Sequence, residues 1–378
     1  MTSHKMIEAR VLNGEPLSIS GQQSIAMSMV AITQNLSLYP DCSGVLIAAN
    51  AILTAAHCVM LEGQVVENQY ALLGPQFIAD LNKDSSIFKN AIPFKKVIIH
   101  DQFIYPNTYA DLAIVILEKD VPGEYIPAKI YTGVELDDYL PLVVAGASIT
   151  NESSINDSTE QMLNEFYNFS EFQFDSNFFR EDKFLGGNIL FRQVSSMPFK
   201  IENSPDSLTT ISNLGNTTKG DSGGGLYIQL NGEYYLAGIH SSAYGPNNKF
   251  WSHVAHSTKL KSHKDWIVKN LLENNIQLPT FISIESQEEL EQAIDKKVLE
   301  CNYLNLKLYD FHRTSFEVIS SAPKENRCEL IQEFYHALES GIEACHQSCP
   351  DSGATKGYCT FYERGRNKLT YTFTNCDF

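Results

Sequence analysis

The chain has 378 residues, of which 43% are hydrophobic and 11% aromatic, which suits a globular protein with a sizeable core and excludes a disordered one. A formal net charge of −17 makes nucleic acid and anionic membrane surfaces poor partners. No stretch approaches the roughly 18 consecutive apolar residues of a spanning helix, so no membrane span is expected. Eight cysteines fall into two groups, Cys42 and Cys58 in the first half and Cys301, Cys328, Cys345, Cys349, Cys359 and Cys376 near the end. Even numbers in both groups favour disulfides and an oxidising compartment, extracellular or periplasmic. Cys345, His346 and Cys349 fit no standard zinc spacing, so neither metal nor cofactor is expected.

In chain order, residues 1–5 lack an apolar core and do not form a signal peptide; either the signal has been removed or export proceeds another way. A polar leader, residues 1–10, ends at Arg10 and is followed by Val11. Residues 24–32 and 42–53 are rich in β-branched and apolar side chains and predict strands. The second of these runs into Thr54-Ala55-Ala56-His57-Cys58. Residues 61–100 alternate strands and polar turns. Asp111 then stands at the head of an apolar strand, residues 112–117, and residues 140–146 predict another.

Residues 148–187 break the pattern, being rich in Asn, Ser, Glu and Phe, and the strand pattern resumes at residues 189–193. Loops of that length are functional or disordered; Phe166, Phe169, Phe172, Phe174, Phe178 and Phe179 argue for packing against the body. Next comes Lys219-Gly220-Asp221-Ser222-Gly223-Gly224-Gly225, ahead of an apolar strand. A serine hydroxyl attacks an amide only with a base in reach and donors for the oxyanion it creates, and flanking glycines let successive N–H groups converge on one point. Taken alone, such a stretch is also an ordinary glycine-rich turn. Residues 235–245 predict a strand, and residues 265–272 a helix after an Asp265 cap.

The ordered set Thr54-Ala55-Ala56-His57-Cys58, Asp111-Leu112-Ala113 and Gly220-Asp221-Ser222-Gly223-Gly224 resembles the trypsin/chymotrypsin family of serine proteases over about residues 11–275. The resemblance implies an all-β fold, a double antiparallel β-barrel with a C-terminal helix, and the catalytic residues His57, Asp111 and Ser222. It implies an oxyanion hole from the N–H groups of Gly220 and Ser222, and a Cys42–Cys58 disulfide bracing the histidine loop. It also implies a zymogen: cleavage after Arg10 by an activating protease would free Val11, whose ammonium would pair with Asp221. Residues 148–187 become an expanded autolysis loop.

The specificity pocket implied by position comprises Asn216, His240, Ser241, Ala243 and Lys249. Asn216 at the pocket floor departs from the aspartate that selects Arg or Lys. His240 and Lys249 together favour Asp or Glu before the scissile bond, with small or apolar and basic preferences as alternatives. Ser241 would support the triad aspartate, and Ala243 would narrow the entrance.

After a linker at residues 275–279, residues 280–378 predict a small disulfide-rich α+β domain, with helices over 285–298 and 327–344 and strands over 304–309, 316–319, 358–362 and 369–373. Such a module would bind a surface, a host ligand or substrate, or assist folding. The expected function is therefore a secreted serine endopeptidase acting on proteins or peptides. The alternative is a non-catalytic or self-inhibited binding protein on a protease scaffold, with an adhesive C-terminal domain.

Overall fold

The computed structural model describes residues 15–16, 23–35, 41–73, 91–105, 109–136, 140, 142–146, 192–196, 198–203, 205–212, 217, 220–244, 253–301, 304, 328, 332, 356–363 and 368–375. Two sheets dominate. The first closes into a barrel in the order Met29–Gln34, Cys42–Ala48, Ala51–Thr54, Ala113–Leu117, Ile92–Ile99, Gln69–Leu73. Its strands are mainly apolar, and Cys42–Ala48, Ala51–Thr54 and Ala113–Leu117 are buried throughout. Continuous burial suits short strands whose outer face is covered by a second layer, here the neighbouring sheet. Val143, Ala145, Tyr227, Leu236 and Ile239 of that sheet join the first barrel's apolar cluster.

The second sheet runs antiparallel from Glu15–Pro16 through Arg192–Ser196, Leu142–Gly146, Gly225–Leu230, Glu233–Tyr244, His253–Lys259 and Ser207–Ser212 to Pro198–Asn203. Arg192–Ser196 lies near one end of this path and Pro198–Asn203 at the other, yet only Met197 separates them. The sheet therefore curls back on itself, as in a barrel. The architecture is all-β and trypsin-like, as expected.

Three expectations need correction. The predicted strand over residues 24–32 begins as a helix, Gln23–Ser28, and becomes extended only at Met29–Gln34. Ile25, Ala26 and Met29 are fully buried at helical spacing, and the Ser28 hydroxyl donates to the Ser24 carbonyl at 2.8 Å, so packing overrides the β-branched composition. The C-terminal helix runs Lys264–Glu273, with Asp265 inside its first turn and His263 at the cap position.

The third correction concerns the boundary at residues 275–279. Phe281–Ile282 pairs in parallel with Ile130–Tyr131. The N–H groups of Ile130, Thr132 and Val134 donate to the carbonyls of Thr280, Ile282 and Ile284. Ile284, Leu290 and Ile294 bury against Leu142, Leu226 and Ile228 of the second sheet. Residues 280–294 thus pack onto the second sheet. The helix expected over 285–298 is Gln287–Gln292, capped by the Ser286 hydroxyl, which accepts from the Glu289 N–H. Asp295 starts a second turn by accepting from the N–H of Lys297 at 2.8 Å.

Farther on, Lys356–Glu363 and Lys368–Asn375 form an antiparallel hairpin that brackets two of the predicted strands. Cys301 and Cys328 were expected in disulfides and are free thiols here. The Cys301 thiol is pushed well above its usual range by burial and by its hydrogen bond with Cys328. Of the 327–344 helix only residues 328 and 332 are described, both helical; of the 304–309 strand only residue 304 is described, and it is helical, against expectation. The 316–319 strand and the autolysis loop at 148–187 lie outside the described residues.

Candidate active site

The site is built where the two sheets meet. His57 sits in the single turn Ala56–Cys58 that ends the strand Ala51–Thr54, and Cys58 is disulfide-bonded to Cys42. The bond ties that turn to the neighbouring strand Cys42–Ala48. Asp111 precedes Ala113–Leu117, which pairs directly with Ala51–Thr54 in the register Thr54↔Ala113. One strand pairing therefore delivers both residues to the same edge of the barrel.

The Asp111 carboxylate is 2% exposed and takes three hydrogen bonds. The His57 backbone N–H donates to Oδ1 at 3.0 Å and the His57 ring Nδ1 to Oδ2 at 2.7 Å. The Ser241 hydroxyl donates to Oδ2 at 2.6 Å. The Thr258 hydroxyl holds the Asp111 carbonyl at 3.1 Å. Burial alone would raise the carboxyl's pKa; the bonds from His57 and Ser241 outweigh it and leave the group below its ordinary value. An ionised Asp111 fixes the proton of His57 on Nδ1 and leaves Nε2 as the acceptor.

Ser222 lies on the loop between Gly220 and the strand Gly225–Leu230. The loop is pinned from both sheets. Ser43 of the first barrel donates its N–H to the Ser222 carbonyl at 2.7 Å and its hydroxyl to the Gly220 carbonyl at 2.7 Å. On the other side the Gly223 N–H donates to the His240 carbonyl at 2.7 Å, and the His240 N–H to the Gly224 carbonyl at 2.8 Å.

Gly223 must be glycine. Its φ is +83°, and a Cβ there would overlap the Ser43 carbonyl oxygen and Thr54 Oγ1. Gly220 also has positive φ, and among the described residues no backbone carbonyl claims the N–H groups of Gly220 or Ser222. The Ser222 hydroxyl donates to the Ser241 carbonyl at 3.4 Å, and among the described residues it makes no hydrogen bond to the His57 ring.

His57, Asp111, Ser222 and Ser241 are thus brought together, with Gly220 and Asp221 on the serine's loop. Asp221 is fully buried, packed against Gly146. His240 is buried on the strand that carries Ser241, and its Nδ1 has no hydrogen-bond partner among the described residues. Burial first, and the nearby His57, push its pKa down to about 3, so the ring is neutral. Ala243 lies on the same strand, opposite Ala255. Arg10, Val11, Asn216 and Lys249 lie outside the described residues. Ser43, Thr54 and Thr258 were missed by sequence reasoning; only the demand of Gly223 for empty space beside it hints at the first two.

Residues 19–157 match the protein-family model described as Trypsin. The chain carries a trypsin-family serine protease domain. The matched stretch contains His57 and Asp111, whereas Ser222 follows it by sequence. No curated protein matches the chain. The trypsin family implies peptidase activity and protein substrates for this domain, and no described helix is long and apolar enough to cross a membrane.

Proposed function

We propose that this trypsin-family chain is a secreted serine endopeptidase made as a zymogen, with His57, Asp111 and Ser222 as its catalytic triad. The observation that carries the reading is the buried Asp111 carboxylate, bound twice by His57 and once by Ser241, whose own carbonyl receives the Ser222 hydroxyl. A rotation about the Ser222 side chain would exchange the Ser241 carbonyl for His57 Nε2, and catalytic hydrogen bonds often tighten only once substrate is bound.

His57 Nε2 then takes the Ser222 proton as Oγ attacks the peptide carbonyl carbon. The oxyanion forms against the N–H groups of Gly220 and Ser222, each such donor contributing about 10²–10³ in rate. Collapse of the adduct breaks the C–N bond, and the amine leaves with the proton from His57. Water, activated by the same ring, cleaves the acyl-enzyme and regenerates Ser222.

Cleavage after Arg10 is proposed to activate the enzyme. The freed Val11 ammonium would pair with Asp221, whose complete burial suits a charge-paired carboxylate. For specificity, the reading is a preference for Asp or Glu before the scissile bond. A neutral His240 with its Nδ1 unpartnered would gain an acceptor from an entering carboxylate. The Cys42–Cys58 disulfide supports an oxidising, extracellular or periplasmic setting.

The bond of the Ser222 hydroxyl to the Ser241 carbonyl instead of to His57 favours, as a second reading, a self-inhibited scaffold that binds rather than cuts. Hydrolysis of protein and peptide substrates by chain cut after Arg10 decides between them, with Asp, Glu, Arg, Phe and Ala tested before the scissile bond. The protease reading expects turnover that Ser222→Ala removes, fastest after Asp or Glu. Turnover unchanged in Ser222→Ala, or binding without cleavage, overturns it.

A further inference from the structure

Leading to Ala110, the residue before Asp111, three buried side chains stand in line. The Gln102 backbone N–H donates to His100 Nδ1 at 3.2 Å, and His100 Nε2 lies 3.0 Å from His263 Nδ1. His263 Nε2 contacts Asp206 Oδ1. The other oxygen, Asp206 Oδ2, accepts the N–H of Ala110 at 2.8 Å, and Ala110 is the residue immediately before Asp111. All four residues are buried: His100 6%, Asp206 5%, His263 6% and Ala110 0% exposed.

The two ends of this line fix every proton in it. A backbone N–H can only donate and a carboxylate only accept, so His100 Nδ1 is the acceptor and its Nε2 carries the hydrogen. His263 Nδ1 must then accept, and its Nε2 donates to Asp206. Two neutral imidazoles satisfy the line with nothing left over. Burial, and the neighbouring His263, hold the His100 pKa below its ordinary value against the opposing pull of Asp101 and Asp206, consistent with a neutral ring. The rings also lock sterically, His100 meeting His263 edge-on with centroids 4.6 Å apart and Trp266 at 4.7 Å.

Ala110 is where the line ends, and Ala110 is strained. Its φ is +49°, in the left-handed region that alanine avoids. Such a conformation persists only where its surroundings over-determine it. Besides Asp206, the Ala110 carbonyl accepts from the Leu112 N–H at 2.7 Å, and the Leu112 carbonyl from the His100 N–H at 2.9 Å. The chain thus turns sharply at Ala110 just before Asp111.

We infer that Asp206 is a positioning residue for the triad: it clamps Ala110 in its left-handed turn, aims Asp111 at His57, and is itself held by His263 and His100. This inference rests on the protease reading above. It adds a second buried carboxylate, which acts on the first through the backbone N–H of the residue before it.

The test uses the full chain cut after Arg10. In Asp206→Ala, kcat should fall on the order of 10- to 100-fold while KM stays within about twofold, the signature of a displaced catalytic group. Asp206→Asn can still accept the Ala110 N–H through its amide oxygen but sets its NH2 against the His263 Nε2–H, so its loss in kcat should fall between those of wild type and Asp206→Ala. Glycine takes a left-handed turn without a clamp, so in an Ala110→Gly background Asp206→Ala should cost no more than about threefold.

A kcat within twofold of wild type in Asp206→Ala, or the same loss with and without Ala110→Gly, overturns the inference. Should Asp206→Ala not fold, Asp206→Ser carries the same predictions, since its hydroxyl is too short to reach Ala110. The low-field NMR resonance of the proton between His57 and Asp111 separates this inference from the protease reading. It should be present in the wild type, lost or broadened in Asp206→Ala and restored in the double variant, whatever the turnover. Wild-type chain without turnover but with that pattern fails the protease reading alone; an unchanged resonance in Asp206→Ala fails the clamp.

Discussion

Asp111 and Ser222 converge on the same residue, Ser241, but the molecule holds them in opposite ways. Asp111 enters a wholly buried barrel strand, and its carboxylate accepts three hydrogen bonds from elements of both sheets. Ser222 rides on a glycine loop fastened by its backbone, with its hydroxyl on a carbonyl rather than on the base. The histidine–aspartate half is therefore set by strand pairing in the first barrel together with side chains of the second sheet. The serine half depends on the state of one loop, the arrangement a zymogen needs.

Breaking the histidine half should have the largest effect. Asp111→Asn leaves the shape but favours the wrong tautomer of His57, and kcat for peptide hydrolysis should drop by about 10⁴ with the fold intact by circular dichroism. Gly223→Ala strikes the serine half. The added Cβ meets the Ser43 carbonyl and Thr54, and the required positive φ adds strain of order 1–3 kcal/mol. Hydrolysis should be lost while His57 and Asp111 keep their low-field proton by NMR; loss of that proton as well would show that the two halves are not separable.

Ser241→Ala removes one of the three donors to Asp111. A hydrogen bond to a charged group contributes about 1.5–3 kcal/mol, so kcat should fall roughly tenfold or somewhat more, with little change in KM.

Acid should reach the serine half first. His240, whose backbone carries the Gly223–Gly224 loop, has its pKa pushed from 6.5 to about 3 by burial. Between those values the unfolded chain binds a proton that the folded chain refuses. Its contribution to stability is thus complete above about pH 6.5 and is lost as pH falls toward 3. Asp111 is also depressed, so its contribution is present above its ordinary 3.8 and is lost only as pH falls below that. Thermal midpoints measured from pH 7 to 3 should fall less steeply in His240→Asn than in the wild type above pH 4. Equal slopes would remove His240 from this account.

Much of this was legible in the sequence because its chemistry is local. Three short motifs in order singled out His57, Asp111 and Ser222, which the structure brings together around Ser241, and Cys42 and Cys58 form the expected disulfide. The strands around them showed as apolar runs because the barrel buries them on nearly every residue. What did not show was long-range. The helix Gln23–Ser28 depends on burial of Ile25 and Ala26 that its composition does not reveal. Residues 280–294 looked like the start of a separate domain, since parallel pairing with Ile130–Tyr131 leaves no periodic mark on a two-residue strand. Asp206, His263 and His100 come from three distant segments, each an ordinary polar residue in its own context.

The most direct test of the central claim is the rate at which a fluorophosphonate probe labels Ser222, before and after limited cleavage after Arg10, with Ser222→Ala as the blank. The account predicts slow or absent labelling of the uncut chain, fast labelling once Val11 is the N-terminus, and none in Ser222→Ala. Equal labelling before and after the cut would contradict the conditional serine half while leaving the enzyme. No labelling of chain with a verified Val11 N-terminus would contradict the triad itself.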